Sequence, residues 1–453
     1  MKIAILGFGR EGKAVLKFLK KSTQYKRAEI SILDKKLNKN YLDNLADFDV
    51  VFRSPGVPYN LPEIQSAIKK GVKFSSATNL FFDIIRRPIQ TKHGLMQTIR
   101  ISPRQVRVSP RPLIIGITGT KGKGTTSTLL YKILKATKKD VYLAGNIGKP
   151  AIEILPKLKK DSIVILELSS FQLQDLNPSA GGPDIAVVLN IFEDHLDSHK
   201  NFNEYVNSKA NIAKWQKKSD KIFYDASNKW SRWIAQKSKA AKIPVYSFQH
   251  SQEYENEIYL KNLKIHGEHN LKNVAMATTV AQSFGIKPEI IKKVVENYRG
   301  MEHRLELVNS KILKNLRINF YNDSASTNPY TAVAAVLAFP NQPKILICGG
   351  KDKNLDYAPL TKALKNSNTK MVILFGENKE KIKKVISKQK LVIREVKNLN
   401  HAIQLAYKVA KSLVTNCQLP VTILFSPAAA SFDMFKDYKD RGDKFKEIVK
   451  GLK

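Results

Sequence analysis

The residues best suited to chemistry lie in Gly116-Ile117-Thr118-Gly119-Thr120-Lys121-Gly122-Lys123-Gly124-Thr125-Thr126. This stretch follows the apolar run Leu113-Ile114-Ile115 and precedes a helical spacing of Leu129, Leu130, Ile133 and Leu134. A strand, a glycine-rich turn and a helix in that order form a cradle for phosphate. Small residues let backbone N–H groups converge on an anion, and the helix start adds positive partial charge. Lys123 supplies a cation for the outer phosphates of a nucleoside triphosphate. One position departs from the common P-loop: the lysine is normally followed by Ser or Thr, whose hydroxyl holds Mg²⁺, and here Gly124 follows it.

Other polar groups fall where open α/β sheets place ligands, just past the ends of apolar runs. Glu167 lies at the end of Ser162–Leu168 and is placed to hold Mg²⁺ beside phosphates. His195 lies in Asn190-Ile191-Phe192-Glu193-Asp194-His195, after the run 185–189. Imidazole is a less usual partner for Mg²⁺, so Asp194 and Asp197 are alternative ligands in that loop. The last third of the chain carries further polar loops after strand patterns: Asn322 to Pro329, Gly349 to Lys353, and Ser426 to Asp433. Together they suggest a pocket for a small polar or charged molecule. Near the start, Gly7-Phe8-Gly9-Arg10-Glu11-Gly12 matches G-x-G-x-x-G between a strand and a helix pattern, and Asp34 follows after about 20 residues. That fingerprint fits NAD or another nucleotide diphosphate.

The elements that position these residues alternate strand and helix, which predicts an α/β protein. Its 453 residues exceed the size of one core, roughly 250–300 residues, so several domains are expected. The reading gives three: a Rossmann-like N-terminal domain over 1–85, a central P-loop ATPase-type domain over 113–300, and a C-terminal Rossmann-like α/β domain over 301–453. Residues 86–112, rich in proline and lacking periodicity, read as a basic linker or insertion. From Ile84 to Lys139 the chain has 13 Lys or Arg and no acidic residue.

The net charge of +38 raises the possibility of nucleic-acid binding. The lysines are spread over most helices, however, and no nucleic-acid-reading motif accompanies them. Two cysteines, Cys348 and Cys417, are too few for a disulfide framework. No run of 18 apolar residues occurs, so no membrane span is expected, and the chain reads as cytoplasmic.

Taken as an ordered set, several motifs resemble the Mur ligases, ATP-dependent amino-acid ligases of peptidoglycan precursor synthesis. They are Gly119 to Lys123, Gly145-Asn146-Ile147-Gly148, Glu167 to Leu173, Asn190 to Asp197, Tyr205-Val206-Asn207-Ser208-Lys209, Gly267-Glu268-His269-Asn270 and His303-Arg304. The stretches Asn322 to Asn328 and Ser431 to Gly442 look most like the D-glutamate-adding branch. The likeness covers nearly the whole chain except about 86–112. It implies ligation of D-glutamate to UDP-N-acetylmuramoyl-L-alanine through an acyl phosphate, by a cytoplasmic monomer that takes ATP and needs neither nucleic acid nor membrane insertion. The N-terminal domain would then hold UDP and not NAD, and that domain also sets the chain apart from a folylpolyglutamate-type ligase.

The resemblance assigns roles to residues. It gives Lys123, Glu167, His195 and Lys209 to catalysis, with Lys209 carbamylated by CO₂. Two Mg²⁺ sites would draw on Thr125, Glu167, His195 and Lys209. ATP would meet Gly119, Thr120, Lys121, Gly122, Lys123, Gly124, Thr125, Thr126, Asn270, Asn273, Arg304 and Asp323. The UDP substrate would meet Gly7, Arg10, Glu11, Asp34, Lys35, Ser54, Asn146, Ser169, Gln172 and His195. D-Glutamate would meet Thr327, Lys353, Ser431, Phe432 and Tyr438. Ala325 stands where this branch usually carries lysine, and Lys35 replaces a usual hydroxyl residue.

Overall fold

The structure, a computed structural model, describes residues 1–86, 111–178, 180–195, 198–246, 263–265, 267–313, 316–387, 391–415 and 419–452. Most of the basic segment (87–110), Asp197 and Cys417 lie outside the described residues. Contacts divide the chain into two compact units, Met1–Tyr259 with Lys272–Val295, and Leu260–Leu271 with Glu296–Lys453.

The first unit contains two parallel sheets. The first comprises β1 (Lys2–Leu6), β2 (Glu29–Leu33), β3 (Val50–Arg53) and β4 (Lys73–Ser75) in the order β2-β1-β3-β4. Alternation along β1 feeds two cores, because successive side chains of a strand point to opposite faces. Ile3 and Ile5 pack with Ala14, Val15 and Leu19 on one side. Ala4 and Leu6 pack with Ile64, Ala67 and Val72 on the other.

The second sheet comprises β5 (Leu113–Thr118), β6 (Val141–Gly145), β7 (Ile163–Glu167), β8 (Ile185–Val188), β9 (Lys221–Asp225) and β10 (Ala241–Val245). Its order is β10-β9-β8-β5-β7-β6. The phosphate-loop strand is therefore central, with the strands that precede Glu167 and His195 on either side. Strands β5, β7 and β8 are apolar up to the last residues of β5 and β7, Thr118 and Glu167, and are buried on both faces, as parallel strands covered by helices must be. Pro244 lies in β10, an edge strand, where a missing N–H breaks no ladder.

The second unit is built on β11 (Glu306–Leu313), β12 (Leu316–Asn322), β13 (Lys344–Cys348), β14 (Thr369–Leu374), β15 (Val392–Glu395) and β16 (Val421–Phe425). The order is β11-β12-β16-β13-β14-β15, with only β11 antiparallel. Strands β12, β16 and β13 are neighbours, so the polar loops that follow them open side by side. Among the described residues, no helix is long and apolar enough to cross a membrane.

The chain enters β5 through a fixed corner. Arg111 grips Asp184 with both Nη atoms, at 2.5 and 3.1 Å, and Asp184 also accepts the Ile114 N–H at 2.8 Å. Arg86 reaches the neighbouring Gly182 carbonyl, so both ends of the basic segment attach to the same loop. Replacing Asp184 with Ala leaves the Ile114 N–H and Arg111 without their acceptor. Urea unfolding followed by circular dichroism should show a loss of about 2 kcal/mol; an unchanged midpoint would contradict this account of the corner.

Candidate active site

Gly119, at φ +154°, turns the chain out of β5. Asn190 then fixes the loop: its carbonyl accepts the Thr120 N–H at 2.7 Å, and its side-chain oxygen accepts the Lys121 N–H at 3.0 Å. Thr120 binds the same neighbouring loop through its hydroxyl, which takes the Phe192 N–H and sits 3.0 Å from Tyr205 Oη. Lys121 pairs with Asp194 at 2.8 Å. These contacts tie the turn to the loop after β8. The amides presented to an anion are those that open the helix Lys123–Ala136, since the first N–H groups of a helix have no intrahelical partner.

Gly122 precedes that helix at φ +86°, and a Cβ there would lie 2.1 Å from Asn273 Oδ1. Only glycine allows the loop and Asn273 to approach so closely. Asn273 is buried and lies 3.4 Å from the Thr126 hydroxyl. The cleft beside it is lined by Leu189, Asp225, Tyr246 and Met276.

Two lysines converge on the turn. Lys123 Nζ donates to the carbonyls of Gly119 at 2.9 Å and Thr120 at 3.0 Å. Lys209 Nζ, on the helix Phe202–Lys214, donates to the same Gly119 carbonyl at 2.9 Å. Lys209 is only 2% exposed. Burial, reinforced by the Lys123 charge, pushes its pKa well below the usual lysine value. Both effects act against the ammonium form and favour the neutral amine.

Glu167 ends β7 and is buried; its carboxylate accepts the Asn146 amide at 2.9 Å. His195 adopts φ +56° and packs edge-on against Phe171, with ring centroids 5.1 Å apart. Burial lowers its pKa and outweighs the opposing Asp194 charge, while Lys209, Lys121 and Lys123 lower it further. The imidazole is therefore neutral near pH 7. Asp194, held by Lys121, is a structural partner of the loop. Among the described residues, no three His, Cys, Asp or Glu side chains cluster as a ready metal site. Lys209 feels the Glu167 charge and His195 feels that of Lys209, so the three side chains share one electrostatic environment.

Several residues assigned to the UDP substrate bind each other. Ser54 donates its hydroxyl to the Gly7 carbonyl at 2.6 Å. Asp34 accepts the Phe8 N–H, and that bond together with the Lys36 N–H holds its pKa below the usual value. Arg10 donates to the carbonyls of Gly148 at 2.9 Å and Gly145 at 3.3 Å. Ser169 and Gln172 form a capping box, and Gln172 also donates to Glu11 at 2.6 Å. Burial raises the Glu11 pKa against that bond. Lys35 is exposed.

The second unit groups the residues assigned to D-glutamate. Arg441, fully buried, donates to Ser324 Oγ and to the carbonyls of Ser324, Ala429 and Ala430, joining the loops after β12 and β16. Tyr438 accepts the Ser324 hydroxyl on its carbonyl. Ser431 is buried and Thr327 half-buried, while Phe432 is exposed with Lys353 Nζ 5.8 Å from its ring. Asp323, buried and bonded by Ser426 at 2.7 Å, is pushed up to about 7 by burial. Arg304 is exposed, and Asn270 falls in this unit while Asn273 falls in the first. The sequence reading left Arg53, Asp175 and Glu204 unassigned; nothing in their spacing marks them, because key partners are remote in the chain.

Residues 117–281 match the family model of the Mur ligase middle domain. The chain is 34% identical to the UDP-N-acetylmuramoylalanine–D-glutamate ligase of Aquifex aeolicus, covering 99% of this chain and 98% of the relative. Identity to the enzyme of the same name from Acetivibrio thermocellus is 33%, covering 92% and 85%. Among solved structures, the fold is similar to that of the MurF ligase of Thermotoga maritima in complex with ADP, with a TM-score of 0.56 at 16% identity over 99% and 95% of the two chains. The UDP-N-acetylmuramate–alanine ligase of Thermotoga maritima gives 0.55 at 17% identity, over 100% of both.

Gly122→Ala tests the loop. The methyl group meets Asn273, and the residue is held at a φ that favours glycine. Titration calorimetry should show nucleotide affinity weakened about tenfold or more, for a strain of order 1–3 kcal/mol. Unchanged affinity would show that the close approach is dispensable.

Proposed function

The chain belongs to the Mur ligases, in the family of the UDP-N-acetylmuramoylalanine–D-glutamate ligases, and on that premise we propose that it joins D-glutamate to UDP-N-acetylmuramoyl-L-alanine at the expense of ATP. The observation that carries this reading is the meeting of the phosphate loop, Glu167, His195 and Lys209 at the C-terminal edge of one parallel sheet. The chain around them aligns almost end to end with ligases of that name.

The chemistry follows from the residues. The helix start at Lys123 and the lysine itself hold the outer phosphates of ATP. The free carboxylate of the UDP-linked substrate attacks the terminal phosphorus, ADP leaves, and an acyl phosphate forms. The amine of D-glutamate then attacks the acyl carbon. The tetrahedral species loses a proton and expels inorganic phosphate, leaving the amide. Positioning and charge stabilisation supply most of the rate, as in other phosphoryl transfers.

Lys209 contributes by changing its charge. Its neutral amine adds to CO₂ and releases a proton, so a buried amine becomes an anionic carbamate. That group, Glu167, His195 and the Thr125 hydroxyl form a mostly oxygen-donor set of the kind Mg²⁺ accepts. Bound Mg²⁺ would neutralise charge on the phosphate oxygens. Lys353 beside Phe432, with Thr327, Ser431 and Tyr438, offers one cation and several hydrogen-bonding groups to the carboxylates of D-glutamate. The proposal includes a cytoplasmic monomer that takes small molecules and no nucleic acid.

Purified protein with ATP, Mg²⁺, bicarbonate and UDP-N-acetylmuramoyl-L-alanine should release phosphate when D-glutamate is added and not when L-lysine or meso-diaminopimelate is added. Lys123→Ala should remove that release, a loss of about 10³-fold or more. Equal release with the other amino acids would overturn the specificity, and release stimulated only by DNA or RNA would favour an ATPase of another class.

Carbamylation gives a separate readout. With ¹³C-bicarbonate, NMR should show a carbamate signal that is absent from Lys209→Ala. Activity should fall in CO₂-depleted buffer and return with bicarbonate. It should also rise with pH as Lys209 loses its proton, since only the neutral amine reacts. A wild type indifferent to CO₂, without the signal, would rule out the modification.

A further inference from the structure

A polar seam joins the two sheets of the first unit, and its centre is Arg53, the last residue of β3. The side chain is wholly buried, and so, within 2%, is that of its partner Asp175. Nε donates to Asp175 Oδ1 at 3.1 Å and Nη2 to Oδ2 at 2.8 Å. The remaining donors reach the carbonyl of Val57 and, at 3.2 Å, that of Phe171. The guanidinium carbon also lies 5.4 Å from the Tyr59 ring. One side chain therefore holds the turn after β3 and the helix Ser170–Gln174 after β7.

What lies at each end gives the seam its meaning. The turn begins at Ser54, whose hydroxyl bonds the Gly7 carbonyl of the glycine-rich loop. The helix begins beside Glu167 and carries Gln172, bonded to Glu11. An outer contact runs parallel to the ion pair. Asn60 Nδ2 donates to both oxygens of Glu204, at 2.8 and 2.9 Å, and Glu204 also accepts from Gln174 at 3.1 Å.

A buried ion pair is a poor source of net stability, because desolvation offsets much of the attraction. Burial pushes the Asp175 carboxyl up to about 6, and the Arg53 charge and hydrogen bonds oppose that rise. What the pair supplies is geometry. Apolar side chains tolerate sliding, whereas a bidentate arginine–carboxylate contact with carbonyls on both sides fixes distance and direction.

We propose that Arg53 is a positioning residue: through Asp175, with Asn60 and Glu204 as an outer stay, it sets the spacing between the UDP-substrate turn after β3 and the catalytic end of β7. The inference rests on reading the chain as a ligase of a UDP-linked substrate. Lysine cannot replace this arginine, since a single ammonium lacks the planar fork.

The test uses the full chain and calorimetric binding of UDP-N-acetylmuramoyl-L-alanine and of ATP, with KM and kcat for each substrate. Arg53→Lys and Arg53→Met should weaken UDP-substrate binding about tenfold or more while ATP binding stays within about twofold, because misplacement acts on only one ligand. Asp175→Asn should weaken it less, as two carbonyl contacts of Arg53 remain. Asn60→Ala, a half-buried change that leaves the core intact, should raise the UDP-substrate KM about threefold with an unchanged melting temperature. If ATP and UDP-substrate affinities fall together, or if only the melting temperature falls, the role is merely structural. Wild type that binds the UDP substrate, with variants that bind it equally well, overturns this proposal alone. Wild type that does not bind it overturns the functional reading and the proposal with it.

Discussion

Two ammonium groups share one carbonyl oxygen, that of Gly119, and the arrangement of the catalytic edge depends on that convergence. Like charges at such close range repel, and burial adds to the penalty on Lys209. The chain has two ways to relieve the strain. A polyanion can bind at the helix start, where the backbone amides and Lys123 already favour negative charge. In the proposed function Lys209 also gives up its proton and becomes the nucleophile for CO₂. Phosphate binding and lysine modification, as proposed, would thus draw on the same local excess of positive charge. The net charge of +38 strengthens the field that brings anionic substrates to it.

The folds around this edge make such convergence possible. In the second sheet the phosphate loop leaves the central strand, and the neighbours β7 and β8 deliver Glu167 and the loop of His195 on either side. In the second unit the loops after β12, β16 and β13 lie in adjacent positions. There Arg441, a buried cation satisfied by one hydroxyl and three carbonyls, keeps two of them in register. Arg53 does comparable work between the sheets of the first unit. In both places an arginine fork fixes irregular backbone where apolar packing could not specify direction.

The sequence disclosed the centre of each sheet and concealed its margins. Strands such as Val421–Phe425 and Lys344–Cys348 are wholly buried and mostly apolar because both faces are covered, and runs of that kind are legible in a sequence. The short or half-exposed strands β4, β10, β11 and β15 lack that signature; Pro244 in β10 argues against a strand until the edge position is known. The same division holds for the site. Gly119 to Lys123 and Glu167 announce themselves by type and spacing. Lys209 is one lysine among many by composition, and its burial follows only from tertiary packing. Arg53 and Asp175 are 122 positions apart, so no local pattern could pair them. Arg10 and Gln172, assigned to the substrate, also bind protein partners that are remote in the chain, the Gly148 carbonyl and the Glu11 carboxylate.

The central claim is that ATP activates the substrate carboxylate before the amine attacks. Its most direct test is the fate of ¹⁸O placed in the carboxylate of UDP-N-acetylmuramoyl-L-alanine. If an acyl phosphate forms and is displaced by D-glutamate, one carboxylate oxygen leaves with the phosphate, and mass spectrometry will find the label in the released inorganic phosphate. Released phosphate that carries no ¹⁸O while amide product accumulates would contradict the account.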